Sequence, residues 1–215
     1  MAKIIWPLCA LPVIAALLGA YFTIKKRPLR LAVKGCATGT ALAPAVFCHL
    51  QGGSLPAGGI IIAAVALFVL ADVLLDLKFL WGVAAFALGH IALIFWLFEQ
   101  QTALQLPLFT VLSFSAAAVL YAISAFFFRN PLRSIGKKAI ALLLYAAVLA
   151  LMTGISLTLP HFGGMRHLPF TLGACLFMVS DLFVAQGILV GMARKWHILG
   201  MILYESAVLL MAVSA

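Results

Sequence analysis

The chain contains only five acidic residues among its 215, and their positions carry most of its chemical information. Asp72, Asp181 and Glu205 lie within long apolar runs, and Asp76 lies at the end of one. A charge at the bilayer centre costs at least about 2.5–3.5 kcal/mol on insertion scales, so such residues usually face a partner or a cavity. Glu99, in a short polar segment, needs no such explanation. The other four predict a polar cavity at membrane depth.

Asp72 and Asp76 stand four residues apart, so a helix places them on one face. Asp72 is the deeper of the two, and we predict a functional role for it. Two interpretations of Asp76 stay open. It lines the same cavity, or it is an interfacial residue paired with Lys78.

Asp181 lies in the middle of a later apolar run and is the second predicted functional carboxyl. The alternative is a structural ion pair with Lys34, the one basic residue deep within a run, although a lysine there can also extend to the interface. Glu205, beside Tyr204, is predicted to face the cavity. His90 is either a hydrogen-bonded structural histidine or a residue of the cavity wall.

These residues must be positioned by membrane-spanning helices, because 66% of the chain is hydrophobic and only 9% is charged. A spanning helix needs about 20 mainly apolar residues. We therefore predict an all-α, polytopic transmembrane helical bundle that forms a single domain over residues 1–215. The eight predicted spans are 4–24, 30–50, 58–76, 79–97, 104–127, 138–159, 169–190 and 196–214.

The basic residues predict the orientation of these spans, since cytoplasmic loops carry an excess of lysine and arginine. The loops after the odd-numbered spans hold eleven of them, and the opposite side holds Lys3 and Arg166. Both termini are therefore expected on the non-cytoplasmic side, as an even number of spans requires. The eleven are Lys25, Lys26, Arg27, Arg30, Lys78, Arg129, Arg133, Lys137, Lys138, Arg194 and Lys195.

The net charge of +9 is explained by this loop bias, so we expect no nucleic-acid partner. The first run is followed directly by Lys25, Lys26 and Arg27, which is typical of an uncleaved helix rather than a signal peptide. His161 and His167 do not match a metal-ligand spacing, and neither a metal nor a cofactor is expected. The expected location is the bacterial inner (cell) membrane, and the oligomeric state is open.

Three short segments resemble motifs of the lysoplasmalogenase (YhhN-like) membrane family. Residues 71–75 (Ala-Asp-Val-Leu-Leu) are followed by 86–90 (Phe-Ala-Leu-Gly-His), and 177–181 read Phe-Met-Val-Ser-Asp. They resemble the family's Gly-Asp-x-x-Leu, Phe-x-x-Gly-His and Phe-x-x-Ser-Asp patterns in order. Lys34 and Tyr204 also fall where that family has a lysine in span two and a tyrosine-rich last span. The resemblance implies an eight-helix fold.

The resemblance also implies an activity, the hydrolysis of the vinyl ether bond of a lysoplasmalogen to a fatty aldehyde and a glycerophospho-base. Such a reaction needs one protonated carboxylic acid and one carboxylate. Asp72 and Asp181 are the predicted catalytic pair, with the roles unassigned. The predicted supporting residues are Lys34, Asp76, His90, Tyr204 and Glu205. The implied partners are a lysophospholipid substrate and membrane lipid.

Two other functions are compatible with these residues. Buried carboxylates also serve as proton relays in small proton-coupled transporters, although no paired Gly- or Pro-interrupted half-helices are evident. A non-catalytic lipid-binding protein of the same fold is the other alternative. Glu205-Ser206, which replaces the family's Tyr-x-Ala-Gln pattern, is the feature that favours it.

Overall fold

The protein is described by a computed structural model that covers residues 2–51, 55–102, 107–136 and 138–214. Side chains are described for these residues except 2–8, 55–57, 101, 102 and 134. Residues 52–54 and Lys137, which we placed in loops, and the side chain of Lys3 lie outside the described part. Within that part the chain is all-helical, without strands, which confirms the predicted fold class.

Nine α-helices and one short 3₁₀ turn, Met165–His167, make up the described residues. In chain order the helices are α1 (Ala2–Thr23), α2 (Arg27–Gly39), α3 (Leu42–Leu50), α4 (Leu55–Leu77), α5 (Phe79–Thr102), α6 (Pro107–Ser134), α7 (Lys138–Gly163), α8 (Leu168–Leu189) and α9 (Arg194–Ala212).

Seven helical stretches within the described residues are long and apolar enough to cross a membrane, with α2 and α3 together forming one of them. The apolar part of α1 that is described, Cys9–Thr23, is shorter. The chain is therefore a multi-pass integral membrane protein. The count of eight spans, the side on which the termini lie, the single domain and the bacterial inner membrane stay predictions.

The second predicted span is interrupted, because α2 ends at Gly39 and α3 begins at Leu42. Pro44 lacks the backbone N–H that would bond the carbonyl of Thr40 in a continuous helix. The Thr40 hydroxyl also bonds the Ala37 carbonyl at 2.7 Å, and Ala41 bonds back to Thr38 at 3.1 Å. The helix is tightened into a short turn here, in the middle of the apolar run.

Two prolines that we placed in loops lie inside helices instead. Pro131 is in the last turns of α6, and Pro160 is in the last turns of α7. A proline has a φ that a helix accepts, and near a helix end the backbone hydrogen bond that it removes is less costly than in the middle. Both helices therefore extend beyond the ends that the prolines predicted.

The helices pack largely as hairpins of neighbours, α4 with α5, α6 with α7 and α8 with α9. Helix α4 also packs against α2, and α5 packs against α7. Helix α9 returns through the bundle and contacts α1, α2, α3 and α4. The predicted functional residues on α2, α4, α8 and α9 are thus brought together by this arrangement.

The α4–α5 hairpin is tight because Gly82 lies against the backbone of Leu75. A Cβ at Gly82 would be 2.5 Å from the Cα of Leu75, closer than van der Waals contact allows. Only Lys78 lies between the two helices, so the connection is too short to let them move apart. The close approach keeps the end of α4, and with it Asp76, next to α5.

We expect Gly82→Ala to destabilise the fold by about 1–3 kcal/mol, because the added methyl group must push α4 and α5 apart. Gly19→Ala is the matched control, since a Cβ at Gly19 meets nothing within 4 Å. Denaturant titration of the purified variants in mixed micelles measures the difference. Equal stability of the two variants would show that the hairpin is not closely packed.

Candidate active site

A cavity of about 620 Å³ lies inside the bundle. It lies near the loops that join α1 to α2, α4 to α5, α6 to α7 and α8 to α9, which are the loops rich in basic residues. A volume of this size is within the range of small-molecule sites. The ionisable and phenolic residues that line it are Tyr21, Lys34, Asp72, Asp76, Tyr145, Asp181, Arg194, His197 and Tyr204.

Asp72 is the central residue at the polar end of the cavity, where three other side chains contact it. The residue is 2% exposed, and its Oδ1 lies 3.2 Å from the ammonium of Lys34. Its Oδ2 accepts hydrogen bonds from Thr38 at 2.5 Å and from Tyr204 at 2.7 Å. Each of these three partners of the carboxyl is a donor, and one of them is a cation.

Lys34 is directed inward to the cavity rather than along the helix to the interface. Besides Asp72, its Nζ lies 4.0 Å from Oδ2 of Asp76. The backbone carbonyl of Asp76 accepts a hydrogen bond from Arg27 at 2.5 Å. Among the described residues, Asp76 is therefore an ion-pair partner of Lys34 and not of Lys78.

Asp181 faces the same cavity in a different setting. It is half-buried, and its Oδ2 accepts a hydrogen bond from the phenol of Tyr145 on α7. No basic side chain of the described residues forms an ion pair with it. The structural pair with Lys34 that we considered is not formed, because Lys34 is paired with Asp72. The two aspartates thus share a cavity but not an environment.

The floor of the cavity is aromatic. Phe86 and Tyr204 line it with ring centroids 5.9 Å apart, and Phe177 packs against both. His90 lies behind this layer, 4.5 Å from the Phe177 ring, and does not line the cavity. Its Nδ1 is 2.7 Å from the carbonyl of Phe86. The histidine therefore supports the floor rather than contacting the cavity contents.

Glu205 also lies behind the wall and not on it, although the sequence placed it toward the cavity. It is 2% exposed and is connected to the cavity through Thr38, whose Oγ1 is 3.1 Å from Oε1 of Glu205. Its neighbour Tyr204 is the residue of α9 that reaches the cavity. Although they are adjacent on α9, Tyr204 thus faces the cavity and Glu205 faces Thr38.

The remaining walls of the cavity are mainly apolar. On the side of α6 and α8 they include Phe128, Leu132, Leu182 and Ile188. Leu182 and Ile188 line the cavity and are 37% and 49% exposed. The cavity combines a polar end with an apolar wall.

Sequence reasoning missed two residues of this site, Thr38 and Tyr145. Thr38 stands four residues after Lys34, so the two share a helix face, and that spacing was a usable signal. Tyr145 is a single phenol in the apolar run of α7, and nothing adjacent to it marks its partner. The pairing with Asp181 depends on how α7 packs against α8.

These features define a multi-pass helical membrane protein with a carboxylate-lined cavity between its helices. The family model of the YhhN family matches residues 29–215. The chain belongs to this family, which includes lysoplasmalogenases, as the three motifs predicted. No curated protein and no solved structure matches the chain.

We expect Lys34→Met to lower the free energy of unfolding by about 3–5 kcal/mol, because it leaves the Asp72 carboxylate buried without its cation. The double variant Lys34→Met/Asp72→Asn should recover most of that loss. Lys195→Met, at an exposed position, is the control and should change stability by no more than about 0.5 kcal/mol. Denaturant titration in mixed micelles tests all three. Equal losses in the single and double variants would contradict the ion pair's role.

Proposed function

We propose that this protein is a membrane-embedded hydrolase that cleaves the vinyl ether bond of lysoplasmalogens, such as alkenyl-glycerophosphocholine or alkenyl-glycerophosphoethanolamine. The observation that carries the proposal is that Asp72 and Asp181, from different helices, line one cavity with different partners. Membership of the YhhN family is compatible with this activity. The products are a fatty aldehyde and a glycerophospho-base.

The different partners of the two aspartates support a division of roles. Asp72 accepts from an ammonium and two hydroxyl groups, which favours the carboxylate. Asp181 has only a phenol as its donor and no cation among the described residues. A carboxyl without a cation in an apolar site is the better candidate for the protonated acid. We therefore assign Asp181 as the acid and Asp72 as the carboxylate.

The reaction begins when Asp181 donates its proton to the β-carbon of the vinyl ether, which leaves an oxocarbenium ion at the carbon bonded to oxygen. Asp72 stabilises that cation and takes a proton from the water that adds to it. The hemiacetal then returns its hydroxyl proton to Asp181 while Asp72 protonates the departing glycerol oxygen. One carbon–oxygen bond is broken, one water is consumed, and both carboxyls return to their starting states.

The shape of the cavity suits a lipid with one chain. The apolar side at α6 and α8 would take the alkenyl chain, and the partly exposed residues Leu182 and Ile188 on that side are candidates for an entry route from the bilayer. The polar end would take the head group, where Arg194 is a candidate for the phosphate. Lys34 is less suited to that role, because it is held between Asp72 and Asp76.

Replacing either aspartate by asparagine should reduce aldehyde release by at least about 100-fold, because general acid–base groups contribute on that scale. The assay is aldehyde production by purified Asp72→Asn and Asp181→Asn proteins from lysoplasmenylcholine and lysoplasmenylethanolamine. Glu99→Gln, at an exposed acid near the other end of α5, is the control with wild-type activity. Full activity in either aspartate variant would refute the assignment. Tight binding of lysolipids without turnover by the wild type would favour a lipid-binding protein.

The isotope content of the products tests the chemistry itself. In D₂O the aldehyde should carry one deuterium on the carbon next to its carbonyl, because that carbon receives the proton of the acid. Trapping the aldehyde by immediate reduction and measuring its mass prevents later exchange. In water labelled with ¹⁸O, the glycerophospho-base should contain no label. An unlabelled aldehyde together with a labelled glycerol oxygen would show that the bond breaks on the other side of the ether oxygen.

A further inference from the structure

The hydroxyl group of Thr38 lies between two carboxyl groups. Its Oγ1 is 2.5 Å from Oδ2 of Asp72 and 3.1 Å from Oε1 of Glu205, and the residue is fully buried. Threonine has one hydroxyl hydrogen and can donate it to one of these acceptors. The other contact is a hydrogen bond only if the carboxyl on that side carries a proton and donates it to the threonine oxygen.

The partners of the two carboxyls decide which one carries that proton. Asp72 is contacted by the Lys34 ammonium at 3.2 Å and by the Tyr204 hydroxyl at 2.7 Å, so its negative charge is compensated. Glu205 has no ion-pair partner among the described residues, and its Oε2 is buried without a hydrogen bond there. An unpartnered oxygen costs less in a neutral carboxylic acid than in an ionised one.

The charges around Thr38 also favour a protonated Glu205. Lys34 supplies one positive charge, and the carboxylates of Asp72 and Asp76 lie within 4.0 Å of it. An ionised Glu205 on the far side of Thr38 would add a further negative charge to a group that already holds the buried Asp72 and the partly exposed Asp76. Like charges in a site of low dielectric constant disfavour one another's ionisation.

We propose that Glu205 is a neutral, protonated acid that donates its proton to Thr38, and that Thr38 in turn donates to Asp72. The order of the chain, Glu205 to Thr38 to Asp72, leaves Asp72 as the carboxylate of the cavity. Glu205 does not line the cavity, so it is a positioning residue that acts through Thr38 and not a catalytic one. Its effect on the reaction rests on the proposed function; its protonation does not.

Infrared spectroscopy of the purified protein without substrate tests the protonation directly. At neutral pH the wild type minus Glu205→Gln difference spectrum should contain the carbonyl stretching band of a protonated carboxylic acid, shifted to lower frequency in D₂O. The same difference with Glu99→Gln is the control and should contain only carboxylate bands, since Glu99 is exposed. Loss of carboxylate bands and not of a carbonyl band in Glu205→Gln would overturn the proposal.

Variants of Thr38 test the chain of hydrogen bonds. Thr38→Val should move the Glu205 carbonyl band to higher frequency and reduce aldehyde release by about tenfold, because a buried donor to Asp72 is lost. Thr38→Ser keeps the hydroxyl and should restore both. Glu205→Gln keeps a donor to Thr38 and should lose no more than about fivefold in activity. An unmoved band in Thr38→Val, or a Thr38→Ser protein that behaves like Thr38→Val, would contradict the chain.

The two proposals fail in different ways. If the wild type releases no aldehyde from any vinyl ether lysolipid, the proposed function is wrong, and the infrared bands still decide the state of Glu205. If aldehyde is released but the Glu205 carbonyl band is absent, the hydrolase assignment stands and the neutral acid is wrong.

Discussion

The buried ion pair between Lys34 and Asp72 is the interaction on which the polar centre of this bundle depends. Ions of both signs are removed from water here, and their attraction offsets that cost only where further hydrogen bonds complete the coordination. Thr38 and Tyr204 provide these bonds to Asp72. Three helices, α2, α4 and α9, must therefore keep their mutual rotation for the pair to stay compensated. The relative positions of these three helices also determine the geometry of the polar end of the cavity.

The interruption between α2 and α3 is part of the same arrangement. Thr38 lies in the last turn of α2, immediately before the tightened turn that Pro44 imposes. The hydroxyl that joins Asp72 to Glu205 is therefore carried by the end of a short helix. The local weakness of the backbone is balanced by side-chain bonds to two other helices. Removing the proline would restore a backbone hydrogen bond but would also change the direction in which α3 continues.

Much of this fold follows from local properties of the chain. The apolar runs predicted most of the helices, and the four-residue spacing of Asp72 and Asp76 predicted that both lie on one face of α4, where both line the cavity. The burial of Asp72 likewise follows from its depth in a run. The prolines were less informative, since a proline within or near an apolar run can bend a helix, end it or be accepted in it, as Pro44, Pro131 and Pro160 illustrate.

The site itself depends on packing between helices, and there local information was insufficient. From the sequence alone, the side chain of Lys34 could extend to the membrane interface or pair with a buried carboxylate. The packing of α4 against α2 brings Asp72 next to Lys34 and so decides between the two. Tyr204 and Glu205 are adjacent on α9, but the rotation of that helix exposes the first to the cavity and turns the second to Thr38. The partner of Asp181 is Tyr145, thirty-six residues away. No spacing rule connects such a pair.

Asp72 and Asp181 line one cavity but have different partners. Under the proposed function, this difference is what lets two aspartates divide an acid–base reaction without a third group. A carboxyl with a cation and two donors is a poor proton source, and a carboxyl with one phenol in an apolar wall is a poor resting anion. The difference is produced by helix placement alone, since the two side chains are chemically identical. A neutral Glu205 strengthens the difference between the two aspartates. It adds no negative charge near Asp72, and it leaves the Thr38 hydroxyl free to donate its hydrogen to Asp72. The proposed reaction then needs only a substrate whose reactive double bond lies between the two.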